Sequence, residues 1–382
     1  MLADSLVIHA ELIDVANDNQ LWGTKYRRTL TDILAIEEDI AEHISDALRL
    51  RLTYEDKARL TVRHTENAEA HRAYLQGRFW WNKRTKEGFR KAIEYFDKAI
   101  RIDPTYALAY AGKADCYCLM VLLDSPPKEC IPKAREAAEQ ALAANGTLAE
   151  AHASLGWIKW VYDWDWPGAE RSFKRAIELN PRYPTAHNWY AGFLAAMGRD
   201  TEAIEQMTRA HQLDPGSLII NRDLGVIYSF TGQIDRAIGQ LRKTIQMDPR
   251  FAPAHAHLGR VYIDAGMYAE AIAELETAVD LTGHVTHGGM LGHAYARVGR
   301  RDDAARELEI LTEFAKQGNC PAFKFAVIHA GLDDKEQAFE WLEKAYENRE
   351  FAMAILSVGQ GFNSLRDDPR FDDLLRRIGL PP

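Results

Sequence analysis

The sequence predicts an all-α fold, a stack of helical hairpins, and three observations lead there. The first is self-similarity at a fixed offset. A small residue, a bulky one, a second small one and a proline recur in Ala92, Phe96, Ala99, Pro104; Ala169, Phe173, Ala176, Pro181; Ala203, Met207, Ala210, Pro215; and Ala237, Leu241, Thr244, Pro249. The first small residue of every copy falls at Ala92, Ala134, Ala169, Ala203, Ala237, Ala271, Ala304 and Ala338, in steps of 42, 35, 34, 34, 34, 33 and 34. The second is the spacing inside each copy, which puts these residues on one face of a helix at 3.6 residues per turn. The third is composition: 47% hydrophobic and 27% charged residues in a chain of 382 belong to a globular protein with a continuous core.

Taken in order, Leu6 to Val15 and Gln20 to Arg27 are rich in Val, Ile, Leu, Trp and Tyr and flank Asn17-Asp18-Asn19, which predicts a β-hairpin. A helix follows. Thr31 can cap it, and Ile33, Ile36, Ile40, Ile44 and Ala47 form one apolar stripe. One hairpin and one helix make a poor independent core, so residues 1–52 are expected to need a missing or borrowed partner, and the unpaired edge predicts a homodimer by strand addition. Residues 53–66 read as a linker or helix extension, and residues 67–350 as the array.

Within the array a second pattern lies upstream of each alanine, in Leu155-Gly156, Leu224-Gly225 with Tyr228, Leu258-Gly259 with Tyr262 and Leu291-Gly292 with Tyr295. It is the first helix of each hairpin. Turn signals such as Met197-Gly198-Arg199-Asp200 and Ala265-Gly266-Met267 separate the helices, and Asp-Pro or Asn-Pro closes the second one. Small residues let the paired helices approach closely, while Phe173, Leu241, Leu275 and Leu342 fill the gap. The stretch Leu119 to Pro132, with Ser125-Pro126-Pro127, is expected to be an extended helix end and loop. Residues 351–382 read as a capping segment: Asp368 caps a helix with Pro369 at its first position, Phe371, Leu374, Leu375 and Ile378 share a face, and Gly379 stops it.

These residues resemble the tetratricopeptide repeat (TPR), whose pattern is aromatic-x2-Leu-Gly-x2-Tyr followed by Ala-x3-Phe-x2-Ala-x4-Pro. The resemblance runs from Asn67 to Arg349 and implies a TPR superhelix of about eight helical hairpins. At the N-terminus, Ala10-Glu11-Leu12-Ile13-Asp14, Leu21-Trp22, Tyr26-Arg27 and Glu37-Glu38-x-Ile40 look like the closing part of a TolB-like α/β domain. In bacterial regulators that domain precedes TPR arrays and follows a nucleotidyl cyclase, a Ser/Thr kinase or a winged-helix domain. The resemblance implies a truncated TolB-like remnant in a sensory or scaffolding part of such a regulator.

Charge and motifs narrow the chemistry. A net charge of -9 argues against phosphate backbones and anionic lipid. No apolar stretch is long enough to span a bilayer, Met1 to Ile13 lacks signal-peptide features, and four cysteines (Cys116, Cys118, Cys130, Cys320) suit a reducing compartment, so the expected location is cytoplasmic. His152, His187 and His255 occupy one repeat position and are expected to pack. His284 and His287, three apart near a turn, lack a third ligand. His255 with His257, and Cys116 with Cys118, point apart on a helix. Gly359-Gln360-Gly361 is expected to be a loop and not a phosphate cradle, because no strand precedes it. No cofactor and no metal are expected, and no catalytic motif occurs.

In TPR proteins the first helix of each hairpin lines a concave groove. Carried onto this sequence, its groove positions are Trp157, Trp160, Asn188, Arg222 and Arg260. For the tryptophans inter-repeat packing is the first reading and an exposed anchoring surface the alternative, and the arginines have the alternative of pairing with Asp223 or Asp264. An Asn and two Arg on successive rungs resemble a polar clamp for a terminal carboxylate. The expectation is a non-enzymatic protein-protein interaction scaffold that binds a peptide or protein segment, acidic or ending in a free carboxylate, without nucleic acid or membrane. The alternatives are a nucleic-acid-binding helical repeat or transcriptional regulator module, and an accessory fragment of a nucleotidyl cyclase or kinase.

Overall fold

The computed structural model describes residues 5–14, 19–29, 40, 64–316, 321–359 and 361–381. The expected helix from Thr31 to Ala47 apart from Ile40, all but the last three residues of the 53–66 linker, and Cys320 and Gln360 lie outside them. The chain divides into two compact units, Met1–Lys113 and Ala114–Pro382.

The first unit begins with the hairpin, β1 (Ser5–Asp14) and β2 (Asn19–Thr29), antiparallel in a register from Ser5 opposite Thr29 to Asp14 opposite Asn19, with an irregularity at Leu12 and Ile13. Alternation is visible along it: Val7, His9 and Glu11 are exposed, Ile8 and Ala10 half-buried. Two helices follow, α1 (Ala68–Asn82) and α2 (Lys86–Ile102). Asn67 caps α1 by accepting from the amides of Glu69 and Ala70, and Thr85 caps α2 by accepting from Gly88. The start of α3 (Ala107–Met120) completes the first repeat interface. Phe96 is fully buried there, and a Cβ at Gly77 or Gly112 would come within 2.5 or 2.6 Å of its ring, so only glycine admits it at both places.

The second unit repeats the same construction. After a 3-10 turn (Val121–Leu123) come α4 (Pro127–Ala144), α5 (Ala149–Ile158) with a π-helical turn (Lys159–Asp163), α6 (Trp166–Leu179), α7 (Pro184–Ala196) and α8 (Asp200–Leu213). Then follow α9 (Leu218–Phe230), α10 (Ile234–Met247), α11 (Ala252–Asp264), α12 (Tyr268–Thr282), α13 (His284–Arg297), α14 (Arg301–Ala315), α15 (Ala322–Gly331) and α16 (Lys335–Glu347). Each first helix packs on its own second helix, and α7, α9, α11, α13 and α15 also pack on one another in succession. They form one inner layer, with the second helices outside. A Cβ at Gly156 would meet the Phe173 ring at 2.8 Å, and at Gly225 or Gly259 the Cγ of Leu241 or Leu275 at 2.6 Å. Those bulky side chains are fully buried, a contribution of roughly 1.5–3 kcal/mol apiece.

One expectation about local structure is corrected. The loop predicted from Leu119 to Pro132 shrinks to three residues, because α4 starts at Pro127 and continues through Pro132. Proline at the first helical position lacks an N–H that has no helical partner anyway, so Pro127 starts the helix instead of delaying it. Pro132 does remove one internal hydrogen bond, and the buried face of Cys130, Ile131, Ala134, Ala137, Ala138 and Ala141 outweighs that loss.

The C-terminal segment has two parts, a 3-10 stretch (Phe351–Val358) and α17 (Pro369–Ile378). The end helix has the expected bounds, with Asp368 accepting from the Arg370 amide and Gly379 in the left-handed region at φ 84°. Its apolar side is buried, and Arg377 pairs with Glu343 of α16 at 2.7 Å. The segment also reaches back across the unit: Trp166 Nε1 donates to the Ile378 carbonyl at 2.8 Å.

Candidate functional site

Trp157 and Trp160 lie on α5 and its π-helical turn, which pack on α7, and Asn188, Arg222 and Arg260 on the inner layer itself, so the five groove residues fall into two groups. Trp157 and Trp160 are packed. Phe351 lies parallel to the Trp157 ring at 6.1 Å and edge-on to Trp160 at 6.1 Å, and Trp160 Nε1 donates to the Ala354 carbonyl at 3.3 Å. Ser357 Oγ adds a bond to the Ala196 carbonyl at 3.0 Å. The chain's own 3-10 stretch therefore occupies the tryptophan rungs, where only 2% and 4% of the two side chains stay exposed. The aromatic crowd extends outward, with the Arg349 guanidinium 3.6 Å over Trp164.

Asn188, Arg222 and Arg260 belong to the second group. Asn188 Nδ2 donates to Asp223 Oδ2 at 2.8 Å, and Arg222 Nε lies 3.0 Å from the other Asp223 oxygen, so the alternative of Arg222 pairing with Asp223 is present. Arg222 Nη1 reaches His257 Nε2 at 2.9 Å. A guanidinium only donates, so His257 must accept there and carry its proton on Nδ1. Burial, followed by Arg222 and Arg260, holds its pKa well below the usual range. Arg260 shares one feature with Arg222, whose Nε is likewise buried without a hydrogen-bond partner. The Arg260 Nε is buried in the same way, and burial plus the Arg222 charge bring Arg260 down to about 10 against the opposing pull of Asp264.

Further along the layer, His287 Nδ1 is also buried without a partner, and burial with Arg260, Lys324 and Arg222 lowers its pKa to about 3. Lys324 donates to Asp124, 200 residues earlier, at 2.7 Å and to the Val285 carbonyl. Glu350 accepts from the amides of Ala322 and Phe323 at the start of α15, and burial raises its carboxyl to about 7. Arg222, Lys324 and Asp124 keep 20%, 19% and 15% of their side chains exposed while surrounded by protein. That combination leaves part of each side chain open at this layer.

Sequence reasoning missed His257, His287, Lys324, Asp124 and Glu350 as a group. A signal for two of them existed, since Asp223, His257, Met290 and Lys324 hold the same place in successive repeats. Asp124 and Glu350 have no such signal, because only the path of the unit brings them in. Some of the remaining histidines serve the turns. His187 Nε2 and His255 Nε2 each donate at 3.0 Å to the proline carbonyl six residues earlier, and Asn221 does the same at 2.7 Å. His284 bonds Glu307 at 2.8 Å. Among the described residues no three His, Cys, Asp or Glu side chains gather as metal ligands, and no helix is long and apolar enough to cross a membrane.

Three family models, each described as Tetratricopeptide repeat, match residues 86–106, 164–217 and 231–283. The repeats are tetratricopeptide repeats. Among solved structures, the TPR chain is similar to the crystal structure of the APC/C hetero-tetramer Cut9-Hcn1, with a TM-score of 0.53 and 18% identity over 90% of this chain and 60% of that one. It is also similar to the human IFIT1 dimer with m7Gppp-AAAA, with a TM-score of 0.51 and 16% identity over 81% of this chain and 76% of that one. At such identities the likeness shows the fold. Among curated proteins, "Putative adenylate cyclase 3" of Rhizobium meliloti (strain 1021) is 28% identical over 110 residues, 29% of this chain. The match spans 19% of that protein's length. TPR repeats of this kind suggest a protein-protein interaction scaffold.

Proposed function

We propose that the chain is a non-enzymatic scaffold that holds a peptide or protein segment along the inner layer of its TPR array. The observation that carries this reading is the arrangement of Asn188, Arg222, His257, Arg260 and Lys324 along successive inner helices, polar and partly wetted, beside tryptophan rungs already filled by the Phe351–Val358 stretch. The partner is an acidic segment or one ending in a carboxylate. Asp223 and Asp124 stand beside two of the cations, and Asp264 acts on the third, which disfavours a polyanion such as nucleic acid. The likeness to an adenylate cyclase segment and the TolB-like features of residues 1–52 support a place in bacterial signalling, in the cytoplasm. Among the described residues β1 and β2 pair only with each other, which supports self-association through a strand edge.

Selection from a displayed random-peptide library on the full chain tests the scaffold reading. Enriched peptides should lose binding to an Arg222→Ala, Arg260→Ala double variant and keep it on a chain lacking residues 1–52. Enrichment of nothing, or binding that depends on residues 1–52 alone, refutes it. For the strand-edge association, light scattering that shows a monomer across working concentrations is the refuting result.

A further inference from the structure

The charge of the chain is not spread evenly. Residues 78–91, which are the end of α1, the turn and the start of α2, hold six of the 47 Lys and Arg and one of the 56 Asp and Glu, a net +5 in a chain of -9, so the remainder carries -14. That one anion, Glu87, is held by Lys91 at 2.8 Å, with Arg90 acting on it as well. Arg78 and Arg84 lie on the ring of the buried Trp81, 4.0 and 3.4 Å from its centre. Lys83, Lys86 and Arg90 are exposed and make no ion pair among the described residues. Beside these three cations Phe79 is 56% exposed, the most open large apolar side chain among the described residues, and Leu75, one turn earlier on α1, is exposed too. Leu75, Phe79 and Lys83 follow one another at steps of four along one side of the helix end, and the Lys83 ammonium lies 4.6 Å from the Phe79 ring centre, so the lysine covers apolar surface with its stem and keeps its head in water.

We propose that the turn between α1 and α2 is a docking surface for an anionic lipid bilayer, in which Leu75 and Phe79 enter the edge of the hydrocarbon and Lys83, Lys86 and Arg90 take the headgroup phosphates. Such a surface uses both halves of the patch. Clustered cations are drawn to an anionic leaflet, and exposed aromatic and aliphatic side chains beside them gain by leaving water at the interface. An acidic polypeptide would satisfy the cations and leave Leu75 and Phe79 in water. A nucleic-acid strand would have to stack its bases where Lys83 already lies over Phe79 and Lys91 over Trp80 at 4.3 Å, and Leu75 has no ring to offer it. The -14 of the remainder does not cancel the attraction, because exposed charges more than about 8–10 Å apart are largely screened at physiological salt. The sum over the chain argues against lipid only when charge is averaged, and the turn is a pole of opposite sign. This surface belongs to the first unit and does not rest on the scaffold reading.

In the experiment the full chain meets vesicles of phosphatidylcholine alone and of equimolar phosphatidylcholine and phosphatidylglycerol, and flotation reads the bound fraction. Binding to the mixed vesicles alone is expected, falling as salt rises from about 0.1 to 1 M, where the screening length drops from roughly 10 to 3 Å. Lys83→Gln, Lys86→Gln and Arg90→Gln together should weaken it about a hundredfold, at about fivefold for each cation near the surface. Phe79→Ser should weaken it about tenfold at unchanged charge. All four positions are exposed, and unchanged circular dichroism separates lost docking from lost folding. In the unaltered chain, amide exchange over residues 79–87 should slow on the mixed vesicles, a readout that needs no variant. Absence of binding, equal binding to phosphatidylcholine alone, equal binding by the triple variant, undiminished binding by Phe79→Ser, or unchanged exchange over residues 79–87 overturns the proposal. Tighter binding of polyglutamate or of oligothymidylate at these residues also overturns it, by assigning the turn to an acidic protein or to nucleic acid.

Discussion

Two glycines in one hairpin should respond to the same substitution with opposite signs. Gly225 in α9 and Gly239 in α10 both lie inside helices, so alanine at either gains up to about 1 kcal/mol of helix propensity. At Gly239 the new methyl meets nothing within 4 Å, and the gain should appear in full. At Gly225 it would lie 2.6 Å from Leu241 Cγ and 3.0 Å from Cδ2, and Leu241 is completely buried. Forcing a methyl into a packed interface costs roughly 1–3 kcal/mol, which exceeds the propensity gain over most of that range. Gly225→Ala should therefore be destabilising by about 1 kcal/mol and Gly239→Ala stabilising by a similar amount. Urea unfolding followed by circular dichroism measures both, and native-state hydrogen exchange at α9 and α10 keeps the reading local if the array unfolds in steps. Leu241→Ala should relieve part of the Gly225→Ala penalty, so the pair should be non-additive. A Gly225→Ala chain as stable as Gly239→Ala would refute the idea that close approach of the paired helices sets this repeat.

Trp157→Ala should lower stability by about 3–5 kcal/mol, because a fully buried indole and its stack on Phe351 are lost, and thermal unfolding checks it. Gly379→Ala should cost about 1 kcal/mol or more, since φ 84° is strained for alanine and its Cβ would come 2.8 Å from Trp166 Nε1; the unfolding midpoint is the readout. Glu350 gives a pH dependence. Its carboxyl is raised to about 7 in the folded chain, so between about 4.5 and 7 the folded state holds the proton that the unfolded state has released. Stability contributed by that proton is present at the acid side of this window and falls as pH rises through it. Unfolding midpoints from pH 4.5 to 8 should show a shallower decline in Glu350→Gln than in the unaltered chain, and identical profiles would contradict the burial argument.

Much of the array was legible because its causes are local and periodic. Phe96, Phe173, Leu241 and Leu275 announce an interhelical gap at the same phase of each repeat, and the glycines opposite them announce how narrow it is. Asp368, Pro369 and Gly379 mark a helix by the chemistry of its ends, and that helix has the predicted bounds. The loop after α3 was misread because prolines count as breakers only when their position in the helix is ignored. Asn188, Arg222 and Arg260 were named from the repeat's register, yet their partners were only partly foreseen.

What the sequence by itself determined is the repeated hairpin, its phase, and which residues face the inner layer, since these follow from spacing at 3.6 residues per turn and from side-chain size. The tertiary structure alone decided which of those residues are free to act. It laid Phe351 between Trp157 and Trp160, carried Asp124 to Lys324 across 200 residues, and left Arg260 Nε and His287 Nδ1 without partners. Those outcomes depend on small rotations per repeat that accumulate along the unit, and no window of sequence contains their sum.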